Sequence, residues 1–532
     1  MSVEPLPVYD KYLGAGVVDD LSRRQSYYIS DWSDGIHSNL LPTASFLYFA
    51  CLLPSIAFGS LNDSHTNGFF SVSKTIIAQA IGGILFSTLS TQPLVVLLST
   101  APLAITIKLV FEISVAESIQ FAGLYAWVGI FNSIFLIIFG IMNLPRTFLR
   151  HSSPFLCETF GLFISIALAF DAIKALVDEF RAHYSQGEKD RSLLWLILLY
   201  STVSVGLFFL RFGDTKLFDP KICGVIGDFA LPISVIATSF LGSYLFQDVA
   251  LGDITDLKSF QPSFPDLQIG SKGIGIAIPL GLSLAILMFI DQSISAAVIT
   301  TSGNKLKKGI YFHSDIILLA AINFILSILG LPWIHGALPH TPMHAKALTV
   351  TEIGTGRAVT AIESRLAIFV AHVSIGLSYF MLPIPLQYIP SPVLYGLFLY
   401  LSITALPEFG FYSRIVTAAR EFSAAAVYHI SKGQHEISTS DDDDAEACVP
   451  SEAHSSVNVV GAEYLQFVPA DIAFRYTCLQ LCCLFLLCIS GLYPQPYLNA
   501  AFPIILLSLM LFREYVLVPY FKDHLNTLDR TE

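Results

Sequence analysis

Charge is scarce in this sequence. Only 13% of its 532 residues are Asp, Glu, Lys or Arg, while 54% are hydrophobic, against roughly 25% and 45–50% in soluble domains. A soluble core of that size would need a charged shell, and the chain lacks the charges to make one. A bilayer removes the need, because lipid faces the apolar side chains. The net charge of −12 speaks against a nucleic-acid partner. Much of it is gathered between Glu436 and Asp471, with Asp441, Asp442, Asp443 and Asp444 in a row. Such a run is solvated and reads as a disordered spacer. Cysteine is sparse as well: the eight residues show no CxxC pairing and no zinc-ligand spacing, so they read as packing thiols. HExxH, a serine-hydrolase elbow and a phosphate loop are all missing, which leaves no enzyme signature and no expected cofactor. The amino terminus is polar up to Leu40 and carries no signal peptide, so targeting falls to the first membrane segment.

Long apolar runs are what the chain does have. About 20 apolar residues cross the hydrocarbon as a helix. Twelve stretches qualify: 38–60, 71–90, 120–142, 154–179, 192–211, 224–247, 274–300, 314–331, 361–383, 390–406, 473–490 and 497–517. Two more, 93–111 and 333–350, are short and interrupted by proline, and read as broken crossings. The expectation is an all-α polytopic membrane protein with fourteen segments. Placing both termini in the cytoplasm puts Arg23, Arg24, Arg146, Arg150, Lys216, Lys221, Lys305, Lys307, Lys308 and Arg420 inside. Arg181, Lys189, Arg191, Lys258 and Lys272 then lie outside, as the positive-inside rule favours. Fourteen crossings divide into two sevens, and an odd repeat enters from opposite sides, so the halves are inverted. The broken segments are then the third of each seven, the arrangement that marks a transporter binding site.

The boundaries expected are 1–37 for a cytoplasmic segment with an interfacial helix at 17–33, and 38–247 for the first repeat. An extracellular loop follows at 248–273, then spans eight to twelve at 274–407. A cytoplasmic loop with the acidic insert runs from 408 to 472, with a second interfacial candidate at 408–430. Spans thirteen and fourteen occupy 473–517, and a cytoplasmic tail 518–532. The Asn62 sequon sits too near the membrane to favour glycosylation.

The broken segments carry the chemistry. The first reads Ser99-Thr100-Ala101-Pro102, the second His340-Thr341-Pro342. A hydroxyl residue followed by proline is a helix-start signature. Two such starts meeting at the midplane would offer free amides and roughly half a positive charge each. That is an anion site made of Thr100, Ala101, Pro102, His340, Thr341 and Pro342. Asp291, in the eighth span, is costly in a bilayer and so reads as functional. Ser295 shares its face. The pair could supply oxygens to Na⁺, or Asp291 could carry a proton. His335, His340 and His344 cluster around the tenth segment; His340 reads as substrate-facing and able to tune transport with pH. Lys108, Glu112, Asp171 and Lys174 read as snorkelling at span ends.

At these residues the sequence resembles the bicarbonate and borate transporter family, solute carrier family 4. The stretches that carry the resemblance are RRQSYYISDWSDG, FLYFACLLPSIAFGS, SVSKTIIAQAIGGILFSTLSTQPLVVLLSTAPLA, FGLFISIALAFDAI, IGDFALPISV, FIDQSISAAVI and GLPWIHGALPHTPMHAKALTV. The resemblance implies a fold shared with nucleobase and sulfate carriers, with a core of spans 1–4 and 8–11 and a gate of spans 5–7 and 12–14. It implies a small inorganic anion bound between the third and tenth half-helices, elevator movement, and a plasma-membrane homodimer joined through the gate. GALPHTPMHAKAL looks like the borate-transporter-like branch. Chloride–bicarbonate exchangers carry Arg at the place of His340, and Glu at that of Asp291. The large cytoplasmic domain of many animal members has no counterpart in the sequence. The alternative reading is a proton, hydroxide or ammonia conductance of the same fold.

Overall fold

A computed structural model describes residues 12–37, 40–151, 154–213, 215, 218–249, 251, 264–300, 306–338, 340–351, 358–381, 388–406, 411, 414, 470–493 and 495–521. Most of the acidic insert, the 408–430 helix candidate and much of the 248–273 loop lie outside these residues, as does the tail from 522.

Among the described residues, eight helices are long and apolar enough to cross a membrane, or nine if one bent pair is a single span. The chain is therefore a polytopic helical membrane protein. After two short helices, α1 (Ala15–Gln25) and α2 (Tyr28–Ser33), come α3 (Leu40–His65) and α4 (Val72–Leu89). A two-residue strand β1 (Leu97–Leu98) leads into α5 (Ala101–Ala116), followed by α6 (Phe121–Ile141) and the short α7 (Leu144–His151). Next are α8 (Pro154–Ala182), α9 (Lys189–Gly213), α10 (Pro220–Asp228), α11 (Ala230–Phe240), α12 (Gly270–Ile299) and α13 (His313–Ile328). Strand β2 (His335–Gly336) leads into α14 (His340–Ala347), and a hairpin of β3 (Thr349–Thr351) and β4 (Ala358–Ala361) into α15 (Leu366–Ser378). The last helices are α16 (Ser391–Ala405), α17 (Ala470–Leu492), α18 (Pro496–Ala500) and α19 (Phe502–Phe512), which continues through a π-helical turn (Arg513–Leu517) into α20 (Val518–Phe521).

The helices pack in two groups. One contains α3 to α6 with α12 to α15, and the other α8 to α11 with α16 and α17. In the first group α6 lies between α12 and α13. Gly281 permits that closeness, since a Cβ there would sit 2.9 Å from the Val128 carbonyl oxygen. The expected span at 224–247 is not continuous, for α10 and α11 meet at a 61° bend. Pro232 explains it: its ring opposes the carbonyl four residues back and it has no N–H to donate. Asn62 lies within α3 and is fully buried, so its sequon is closed to a glycan in this fold. Among the described residues no cysteine is in a disulfide.

The amino-terminal helices are turned inside out relative to a soluble helix. Asp20, Arg24 and Asp31 are buried against the protein, while Val18, Leu21, Tyr28 and Ile29 are exposed. The buried charges find partners. Asp31 receives Arg24 Nη2 at 2.6 Å and Lys308 Nζ at 3.0 Å on Oδ1, and Arg365 Nε at 3.0 Å on Oδ2. Glu363 Oε1 accepts from the amides of Lys307 and Lys308, and its other oxygen lies 3.5 Å from Arg24 Nη1. Arg365 also donates to the carbonyls of Ser87, Thr88 and Ser90, so a cation caps the C-terminal end of α4, where the helix dipole favours it.

Asp20 caps the amino end of α13 from a distance in sequence. Its Oδ2 accepts from the amides of Phe312, His313 and Ser314. Burial outweighs these donors and pushes its carboxyl up to about 7. A folded-state value above the unfolded one makes this group's contribution to stability complete at low pH. That contribution falls as pH rises from about 4 to about 7 and is level above that. Purified wild-type protein is therefore expected to lose thermal stability between about pH 4 and 7, and Asp20→Asn to lose less. Parallel stability curves for the two proteins would contradict this.

Candidate functional site: the paired helix starts

The two broken segments break in the same way and meet. Strands β1 and β2 pair antiparallel, Leu97 opposite Gly336 and Leu98 opposite His335. Each strand precedes its half-helix by a few residues, so the antiparallel pairing brings the starts of α5 and α14 towards a shared point. Matching side chains hold each strand. Gln79 Nε2, from α4, donates to Leu97 O at 2.6 Å. Asn323, from α13, donates to Ile334 O at 2.8 Å and accepts from its amide at 3.1 Å. Tyr125 stacks on Trp333 at 3.9 Å between centroids and donates its hydroxyl to Leu331 O. Asp315 accepts from the amides of Thr91 and Gln92, fixing the approach to β1.

At the start of α5, Thr100 is the extended residue before the helix and Pro102 stands in its first turn. The amides of Ala101 and Leu103 therefore have no acceptor within the helix. The expected side-chain cap does not form: Thr100 makes no capping bond, and its hydroxyl meets His335 Nε2 at 2.7 Å instead. On the other side α14 begins at His340, one residue earlier than the Thr-Pro signature predicts. Thr341 lies inside the first turn and its hydroxyl accepts from the Val96 amide at 3.1 Å. Each threonine thus reaches the opposite segment, because a strand amide or a ring nitrogen on the partner outcompetes the local cap.

His340 is buried, and its Nε2 meets Ala50 O of α3 at 3.0 Å. His344 Nδ1 donates to Leu94 O. These two rings serve different carbonyls and do not converge. No group of three or more His, Cys, Asp or Glu that could hold a metal occurs among the described residues.

Asp291 is buried on α12, and its Oδ2 lies 3.2 Å from His335 Nε2. Next to it, both amide atoms of Gln292 and the hydroxyl of Ser295 are buried without a hydrogen bond. A Cβ on Gly336 would fall 2.7 Å from Gln292 Oε1 and 3.2 Å from Ser295 Oγ. Thr100, His335, Gly336, Asp291, Gln292 and Ser295 are therefore one polar locus, buried except at Thr100, which is half-buried. The sequence grouped His335 with His340 and His344 and missed its link to Asp291.

A profile of the HCO3- transporter integral membrane domain matches residues 11–191 and 181–425. Mouse solute carrier family 4 member 11 is 34% identical over 576 residues, covering 95% of this chain and 62% of its own length. Chicken band 3 anion transport protein is 29% identical over 431 residues, covering 75% of this chain and 46% of its own. The chain thus spans about three fifths or less of these curated relatives. Among solved structures, the transmembrane domain of a cyanobacterium bicarbonate transporter, BicA, superposes with a TM-score of 0.54 at 12% identity, covering 84% of this chain and 97% of that one.

Proposed function

The chain belongs to the HCO3- transporter family, solute carrier family 4, and from that premise we propose that it is a secondary-active carrier of small oxyanions of the bicarbonate or borate class. The observation that carries this reading is the antiparallel pairing of β1 with β2, which sets the amino ends of α5 and α14 at one point. Peptide dipoles and first-turn amides there favour a small anion over a cation. The names of BicA and band 3, transporters of bicarbonate and of anions, agree with it.

Nine long crossings, with the bent pair as one, three shorter apolar helices and two half-helices are read as fourteen segments in two inverted repeats. The helix group with α3 and α12 is the moving core and the group with α8 and α16 the gate, through which two copies pair at the plasma membrane. The exposed apolar faces of α1 and α2 lie in the cytoplasmic interface, as for other amphipathic helices. The substrate lies by Thr100, Ala101, Pro102, Thr341 and Pro342, with His340 behind them, bonded to α3. Asp291 Oδ2 lies 3.2 Å from His335 Nε2, and Gln292 Oε1 and Ser295 Oγ stand unpaired in the same locus, so both a proton and Na⁺ suit it as coupling ion.

The test is uptake of labelled borate and bicarbonate into proteoliposomes. Uptake is expected to saturate and to depend on the anion gradient. Asp291→Asn should lower gradient-coupled uptake roughly ten- to a hundredfold, the factor that ~1.5–3 kcal/mol for one charged hydrogen-bonding group represents. Currents that persist without any anion gradient and do not saturate would instead favour a proton, hydroxide or ammonia conductance.

A further inference from the structure

We infer that Gln292 accepts a hydrogen bond from a hydroxyl of the bound anion, so that the site takes oxyanions that still carry an O–H and discriminates against those that carry none. The inference rests on the transport reading above and narrows its substrate class. Gln292 is buried on α12, one residue past Asp291. Neither of its amide atoms has a hydrogen-bond partner among the described residues. It abuts β2, since a Cβ on Gly336 would come within 2.7 Å of its Oε1. Other amide side chains at these strands hold them in place. Asn323 bonds Ile334 through both of its amide atoms, and Gln79 donates to Leu97 O. Gln292 stands beside its strand without bonding it. A buried amide with no partner in the fold costs stability, and a methionine of the same length would fill the space without that cost. The carboxamide is therefore a binding group and not a brace.

The neighbouring groups do not make this distinction. The first-turn amides of α5 and α14 are donors only, so they favour negative charge of any kind. Ser295 Oγ, also buried and unpaired, can donate or accept and suits either sort of anion. Asp291 Oδ2 faces His335 Nε2 at 3.2 Å. A carboxamide differs, because its oxygen only accepts and its NH2 only donates. Either orientation of the amide presents both. The NH2 meets an anion oxygen, which every oxyanion offers; an N–H cannot ligate Na⁺, so a coupling cation would leave that half unused. The amide oxygen needs an incoming O–H, and Gly336 leaves it uncovered on the strand side. Bicarbonate and nitrate give the cleanest contrast. Both are planar and monovalent with three oxygens around one central atom, and only bicarbonate has a hydrogen. With nitrate in place the amide oxygen opposes another acceptor, which weakens binding about ten- to a hundredfold. Borate, with a hydroxyl at every corner, satisfies it in any orientation. Sites built to bond a substrate hydroxyl reject the analogue that lacks it for the same reason.

The experiment is uptake of labelled bicarbonate into proteoliposomes holding the full chain, competed by unlabelled bicarbonate and by nitrate. In the wild type, nitrate is expected to compete about ten- to a hundredfold more weakly than unlabelled bicarbonate. In Gln292→Met the two should compete about equally, through a loss of bicarbonate affinity with nitrate affinity kept. Gly336→Ala, which covers the amide oxygen from the strand side, should lower the ratio part of the way and provides a second variant should the first fail to fold. Wild-type nitrate that competes as well as bicarbonate overturns the inference. So does an unchanged ratio in either variant, the result expected if the amide binds water alone or merely packs. A wild type with no saturable uptake of bicarbonate or borate would instead overturn the transport reading, and the inference with it.

Discussion

Replacing Asp31 with alanine is expected to leave little folded protein in the membrane. Asp31 is fully buried and is met by three cations, Arg24, Lys308 and Arg365. These come from α1, from the approach to α13 and from the residue ahead of α15. Removing the carboxylate leaves the three without their shared counter-ion, and two of them, Arg24 and Arg365, are themselves buried. Breaking a buried pair from one side costs about 3–5 kcal/mol, a large fraction of an ordinary stability of ~5–15 kcal/mol. Arg365 would keep its bonds to the end of α4, so the loss concerns the attachment of α1 and α2 first. Asp34 provides the comparison: it meets Lys308 at 2.7 Å but is half exposed, and Asp34→Ala should cost under about 1 kcal/mol. Size-exclusion profiles and melting temperatures of the two variants in detergent decide the matter. A monodisperse Asp31→Ala protein that melts with the wild type would refute the clasp.

Gly336→Val is expected to abolish transport while the protein still reaches the membrane. The added branch would enter the space between β2 and α12, where even a Cβ lies 2.7 Å from Gln292 Oε1. Oversized side chains in packed sites cost about 1–3 kcal/mol of stability, which a protein of this size can survive. The function should not survive, because the locus that joins Thr100, His335 and Asp291 is filled. Flux in reconstituted vesicles should drop to that of empty liposomes, with Gly336→Ala intermediate. Normal flux in the valine variant would show that this space is not on the transport route.

Much of this architecture was legible in the residues, and the limits follow from what is local. A twenty-residue apolar run announces a crossing by composition, so α3, α6, α8 and α12 lie close to where the sequence puts them. The interruptions at α5 and α14 were legible too, because Pro102 and Pro342 each follow a threonine closely, the composition of a helix start, and both lie in the first turns of their half-helices. Details set by distant partners were not. Thr100 and Thr341 carry the composition of helix caps, but their hydroxyls are taken by His335 and by the Val96 amide, more than 200 residues away in each case. The link of His335 to Asp291, and the attachment of Asp31 to Lys308 and Arg365, likewise depend on which elements pack together. The bend between α10 and α11 had a local cause in Pro232, yet a proline inside an apolar run leaves its kink angle to the neighbouring helices.

The central claim is that a small oxyanion binds where α5 and α14 begin. The most direct measurement is an electron cryomicroscopy map of the protein in saturating borate beside one in a borate-free buffer. Difference density is predicted between the first-turn amides of α5 and α14, within reach of Thr100 and Thr341. Density elsewhere in the molecule, or none there under conditions where borate binding is measured, would contradict it.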